Sequence, residues 1–179
     1  MTPLPAGVSL RPATAEDAPA TAAIYAHHVR NGTATFEIEP PDAAEMERRR
    51  SETAQRGLPY LVGLSDGEVI AYAYAAPYRP RPAYRFTVED SIYVRADACG
   101  RGIGRALLAQ LIDGATLAGA RQMIAVIGDA ANAPSIRLHA ALGFHHVGVL
   151  GSVGNKFSRW LDVVLMQRAL GPGDGAPGA

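Results

Sequence analysis

A single cysteine, Cys99, rules out an intramolecular disulfide. Charge of either sign is not in excess. The 17 Lys and Arg balance the 17 Asp and Glu, which leaves no electrostatic footprint for nucleic acid or for an anionic membrane. No apolar run approaches the roughly 18 residues that a membrane span needs, and the opening MTPLPAGVSLRPAT lacks a basic-then-apolar signal. Histidines at metal-binding spacing are missing too. His27 and His28 are adjacent on a predicted helix, so they read as helix surface, and His145 and His146 are adjacent on a predicted strand and face opposite ways. These absences predict a soluble cytoplasmic chain without metal. A length of 179 residues suits one domain over 1–170, and Gly171 to Ala179 reads as a disordered tail.

What is present is concentrated between Arg85 and Gly119. Phe86, Val88, Ile92 and Val94 recur at period two, while Thr87, Glu89, Ser91, Tyr93 and Arg95 take the other side of the same strand. The run Cys99-Gly100-Arg101-Gly102-Ile103-Gly104-Arg105 follows. Ile103, Leu107, Leu108, Leu111, Ile112, Ala115 and Ala118 then keep helical spacing, which puts the glycines at a helix N-terminus. Free N–H groups of a first helical turn, approached closely through glycine, make an anion site, with phosphate the usual occupant. A dinucleotide fingerprint fails, because the glycine it needs falls on Arg105 or Leu107. A Walker loop fails as well, since the chain's only lysine is Lys156.

The rest of the chain frames this stretch. Val8 to Arg11 predicts a first strand, and Thr14 or Asp17 can cap the helix that carries Ala18, Ala22, Ile24, Tyr25, Ala26 and Val29. Asn31 to Glu37 interrupts it, placing Phe36 among threonines where it can line an acceptor pocket, and a charged second helix runs from Pro41 to about Arg56. Two β-rich runs, Pro59 to Leu64 and Val69 to Ala76, flank the hairpin signal Ser65-Asp66-Gly67-Glu68. Pro77 to Arg85 is too proline-rich for a regular element. Arg79 and Arg81 within it read either as a solvated loop or subunit contact or as a guanidinium clamp for an acidic substrate group, with Pro80 between them. Gln122 to Ile127 predicts a buried parallel strand, Ser135 opens a short helix closed by Gly143, and Phe144 to Leu150 and Phe157 to Gln167 are the last strands. The order is β-α-α-β-β-β-α-β-α-β-β, with no internal repeat.

The glycine stretch resembles motif A of the GCN5-related N-acetyltransferases (GNAT), a loop of form Gln/Arg-x-x-Gly-x-Gly/Ala that cradles the pyrophosphate of acetyl-CoA. Gly102-Ile103-Gly104 match its end, and Cys99 stands in place of the leading Gln or Arg. The segment from Asn132 to Phe144 resembles the family's motif B. A narrower resemblance is to the phosphinothricin and methionine sulfone/sulfoximine acetyltransferase branch. It rests on Thr87 to Val94, on Leu138-His139 and on Val153 to Asp162. It implies an α/β GNAT acyl-CoA N-acyltransferase fold, with a mixed, mostly antiparallel central sheet flanked by helices, and a homodimer. It also implies acetyl-CoA as co-substrate, held by Ile92, Tyr93, Val94, Gly100, Arg101, Gly102, Ile103, Gly104, Arg105 and Asn132.

The expected reaction moves acetyl to the α-amine of a small amino-acid-like acceptor contacted by Phe36, Arg79, Pro80, Arg81, Glu89, Asp90 and Ser91. Such an amine, with a pKa near 8, needs a base, and Glu89 is the carboxylate beside the cofactor loop. The backbone N–H groups of Tyr93 and Val94 are the expected donors to the developing oxyanion. His139 either relays a proton to the departing thiolate or hydrogen-bonds within the core. Cys99 has no evident base in sequence, which disfavours a covalent acyl step. A different amine acceptor and a non-catalytic acetyl-CoA-binding module are the competing readings; the arginine-rich loop argues against a cationic acceptor.

Overall fold

The computed structural model describes residues 4–175. Its strands are β1 (Val8–Pro12), β2 (Tyr60–Ser65), β3 (Glu68–Pro77), β4 (Thr87–Val94), β5 (Gln122–Gly128), β6 (His145–Lys156) and β7 (Arg159–Ala169). Its helices are α1 (Ala18–Asn31), α2 (Ala43–Gln55), α3 (Ile103–Leu117) and α4 (Ala133–Ala140). The strands form one seven-stranded sheet in the order β1-β2-β3-β4-β5-β7-β6. Every neighbouring pair is antiparallel except β4 and β5, as the apolar run at Gln122 predicts.

Local chemistry explains the joints. Asp66 and Gly67 both take positive φ, 51° and 80°, the backbone of a two-residue turn whose twist matches that of the β2–β3 strands. Asp42 caps α2 by accepting from the Glu45 N–H at 2.8 Å. Asp17, by contrast, does not cap α1 with its side chain; it accepts from the Thr14 N–H and pairs with Arg11 at 2.7 Å.

Each face of the sheet has its own core. On one, Ala71, Ala73 and Ala75 of β3 are small enough for α3 to lie close, and Leu107, Leu108 and Leu111 are fully buried there. On the other, α1 and α2 cover an aromatic layer. Tyr60 stands opposite Tyr74, and Tyr72 opposite Tyr93, with ring centroids 5.1 and 5.2 Å apart. The expected disordered tail is corrected for residues 171–175. There Gly173 N–H donates to Leu170 O at 2.9 Å and the Arg121 guanidinium donates to Gly173 O at 3.4 Å. Residues 176–179 lie outside the described ones.

The site is positioned by a parting of strands. Pairing of β4 with β5 ends at Asp90 and Ala125, yet β4 continues to Val94 and β5 to Gly128. A wedge opens from Ser91 onward. Tyr78 N–H donates to Thr87 O and Arg95 N–H to Ile70 O, so the odd-numbered residues of β4 bond β3 and the even-numbered ones face β5. The backbone groups of Ile92 and Val94 therefore face the wedge, where β5 no longer pairs with them.

Candidate active site

A cavity of about 510 Å³ fills the wedge and runs from Asp90 and His139 at one end to the glycine loop at the other. At the loop, Gly100 and Gly102 sit at φ 77° and 82°, a left-handed backbone that side-chain-bearing residues rarely adopt. Ala106 N–H is bonded to Gly102 O, so the N–H groups of 103–105 have no partner within the helix and form an anion cradle. The Ile103 side chain is buried in the core, so this residue offers the cavity its backbone. Arg101 and Arg105 are exposed beside the cradle. Cys99 is exposed as well. Asn132 lines the cavity and caps α4 by accepting from Ser135 N–H at 3.3 Å. Cradle, open strand and cap suit a phosphate-bearing, amide-rich chain such as that of acetyl-CoA.

Glu89 projects from the opposite face of β4. Burial, with repulsion from Asp90, pushes its carboxyl up to about 6, and the Arg79 guanidinium works against that rise. Of the proline-rich loop's arginines, Arg79 is the one whose charge reaches Glu89; it lies over the Tyr78 ring at 4.9 Å. Arg81 and Pro80 are exposed further along the loop. Ser91 shares the Glu89 face and interacts with the Tyr74 hydroxyl.

The loop before α2 is fastened over this side. Thr35 hydrogen-bonds Tyr25 at 2.7 Å, Thr33 donates to Asp129 at 2.7 Å, and Arg49 pairs with Glu37 at 2.7 Å. Lys156 is buried and donates to Thr35 O at 2.8 Å, while the Phe36 ring lies so close to Gly154 that a Cβ there would overlap it. Lys156 thus anchors the loop. Trp160, two strand positions beyond the turn, is 70% exposed.

Three expectations are corrected. Asp90, expected among the acceptor contacts beside Glu89, is turned by alternation to the α4 side, where its Oδ2 meets His139 Nε2 at 2.9 Å. Tyr93 N–H points to β3, so the backbone donors facing the wedge belong to Ile92 and Val94; the Tyr93 ring packs in the aromatic layer. His28 is not helix surface. It is half-buried, borders the cavity and donates from Nε2 to Val94 O at 2.9 Å, because a carbonyl can only accept. His139 itself is 4% exposed, with Nδ1 donating to Ser135 O at 2.8 Å. Among the described residues no cluster of His, Cys, Asp and Glu could hold a metal ion, and no helix is long and apolar enough to cross a membrane.

Comparisons with known proteins identify the family. The model of the acetyltransferase (GNAT) family matches residues 21–144. The phosphinothricin N-acetyltransferase of Alcaligenes faecalis is 57% identical over 89% of this chain and 81% of its own length. The L-methionine sulfoximine/L-methionine sulfone acetyltransferase of Pseudomonas aeruginosa is 43% identical over 94% of this chain and 98% of its own. Among solved structures, a phosphinothricin acetyltransferase from Sinorhizobium meliloti in complex with acetyl-CoA superimposes with a TM-score of 0.93 at 48% identity, covering 97% of this chain and 94% of that one. The chain belongs to the GNAT family and is an acetyl-CoA-dependent N-acetyltransferase.

Proposed function

We propose that the enzyme acetylates the α-amine of a small amino-acid-like acceptor whose side chain carries an oxidised tetrahedral centre, and that Glu89 is its general base. Relatives named for phosphinothricin and for methionine sulfoximine and sulfone support the acceptor class. The observation that carries the base assignment is the position of Glu89, a half-buried carboxylate raised to about 6, one residue before β4 parts from β5.

Acetyl-CoA supplies an acetyl group already activated as a thioester. Glu89 is largely ionised at neutral pH and takes a proton from the acceptor ammonium, directly or through a water, freeing the amine to attack. Ile92 and Val94 offer backbone N–H groups where negative charge develops on the acetyl oxygen. Arg79 offers a planar fork to an acidic group of the acceptor. Phe36, packed on Gly154 in the loop that Lys156 anchors, is assigned to the acceptor. A lone thiol and dependence on acetyl-CoA suit a cytoplasmic site of action.

The assembly is proposed as a homodimer. β6 is an edge strand, and Val147, Val149, Leu150, Val153, Phe157 and Trp160 leave an apolar surface on the β6–β7 hairpin.

Glu89→Gln tests the base. It should lower kcat near neutral pH by about 10²- to 10⁴-fold while equilibrium binding of acetyl-CoA is retained. Wild-type turnover in the variant removes Glu89 from that role.

A further inference from the structure

The Asp90–His139 pair is costly to bury. Asp90 is 7% and His139 4% exposed, and Asp90 Oδ1 has no hydrogen-bond partner among the described residues. An orphaned carboxylate oxygen is normally eliminated from an interior. Among the described residues no arginine or lysine bridges Asp90, and its carboxyl group meets the imidazole of His139. The pair borders the same cavity as the open backbone of β4.

His139 cannot reach a ligand in that cavity with a free N–H. Nε2 is held by Asp90 at 2.9 Å, Nδ1 by Ser135 O at 2.8 Å, and the ring edge meets Phe144 with centroids 5.0 Å apart. A hydroxyl beside the ring faces the open space. Ser135, four residues earlier on α4, places its Oγ 3.4 Å from His139 Nδ1, and Ser135 is half-exposed on the cavity wall. Its hydroxyl has no part in capping the helix, since Asn132 accepts from the Ser135 backbone N–H.

We propose that Ser135 is the proton donor to the departing sulfur, that it draws its proton from His139, and that Asp90 is the positioning residue that keeps the imidazole charged. The proposal rests on the acetyl-transfer reading above. When the acetyl carbon bonds to the acceptor nitrogen and parts from sulfur, Ser135 Oγ gives its hydroxyl proton to the thiolate and takes the Nδ1 proton of imidazolium His139. That proton leaves its bond to Ser135 O for the Oγ, 3.4 Å from Nδ1. His139 is left neutral, with its Nε2 proton donated to Asp90, and solvent restores the lost proton in the next cycle. The serine itself forms no covalent bond.

Electrostatics supports the order of charges. Desolvation alone would lower His139, but the hydrogen bond and charge of Asp90, with the Ser135 carbonyl, outweigh it and leave the imidazole above its ordinary value. Asp90 on β4 and Ser135 on α4 are the polar side chains that meet the ring. Phe144 adds no charge, and Glu89 is turned to the other face of the strand.

The test is a set of three variants read by steady-state kinetics and by NMR titration of the His139 ring. Ser135→Ala should lower kcat at least tenfold, leave equilibrium acetyl-CoA binding within twofold, and leave the His139 titration in place; Ser135→Thr, which restores a hydroxyl, should recover most of the loss. Asp90→Asn should move both the His139 titration and the alkaline limb of kcat to lower pH by a unit or more. Wild-type kcat in Ser135→Ala overturns the relay, as does a His139 titration unmoved in Asp90→Asn. Failure of the Glu89 assignment would look different, because Glu89→Gln would stay active while the Ser135 and Asp90 variants kept their effects.

Discussion

Burial that readies Glu89 as a base also makes its charge unwelcome in the fold. Its folded pKa of about 6 lies above the ordinary 4.5, so the stabilising contribution is complete below pH 4.5 and is lost as pH rises through about 6. The acid limb of kcat/KM should accordingly lie near pH 6. Glu89→Gln should melt at a higher temperature than the wild type at pH 8, and at the same temperature at pH 4; a lower melting temperature at pH 8 would mean the ionised carboxylate is stabilised by its surroundings. The Glu89 side of β4 was legible from the period-two pattern, whereas Asp90, which has the parity of Val88 and Ile92, was expected among the acceptor contacts. A carboxylate in an apolar series has no sequence signal to say what satisfies it, and its partner, His139, lies 49 residues away. His28 was illegible for the same reason. Its bond to Val94 O joins a position on α1 to a strand edge that exists only after folding.

At the scale of elements, the glycine loop and α3 are readable because their requirements are local: positive φ at Gly100 and Gly102 and a helical apolar stripe behind them. The loop of residues 32–42 is different. It is shaped by distant groups, and Gly128 at the end of β5 is one of them, since a Cβ there would come within 2.8 Å of Thr33 O and 3.1 Å of Ala34 O. Backbone oxygens cannot rotate aside. Gly128→Ala should destabilise the fold by about 1–3 kcal/mol in denaturant titration and raise KM for the acceptor more than for acetyl-CoA. Unchanged stability together with unchanged acceptor KM would show that the loop is not fixed by that contact. Sequence placed Phe36 in this loop by its chemistry, but the Lys156 and Gly154 contacts that hold it come from a hairpin more than a hundred residues on.

For the whole molecule, the succession of strands and helices was readable, and the insertion of β7 between β5 and β6 was not, because no local signal encodes which strand an edge hairpin turns inward. That insertion leaves β6 and its apolar side chains at the rim of the sheet. A dimer closed by this surface should dissociate in Trp160→Glu, with sedimentation velocity reporting the halved mass; a variant that keeps the wild-type sedimentation would move the interface elsewhere. The central claim, acetyl transfer to an amino acid with an oxidised tetrahedral side chain, is tested most directly by thiol release from acetyl-CoA with a panel of acceptors. The panel is phosphinothricin, methionine sulfone, methionine sulfoximine, methionine, spermidine and an aminoglycoside. Turnover concentrated on the first three is the predicted result. Turnover on spermidine or the aminoglycoside with none on those three would contradict it.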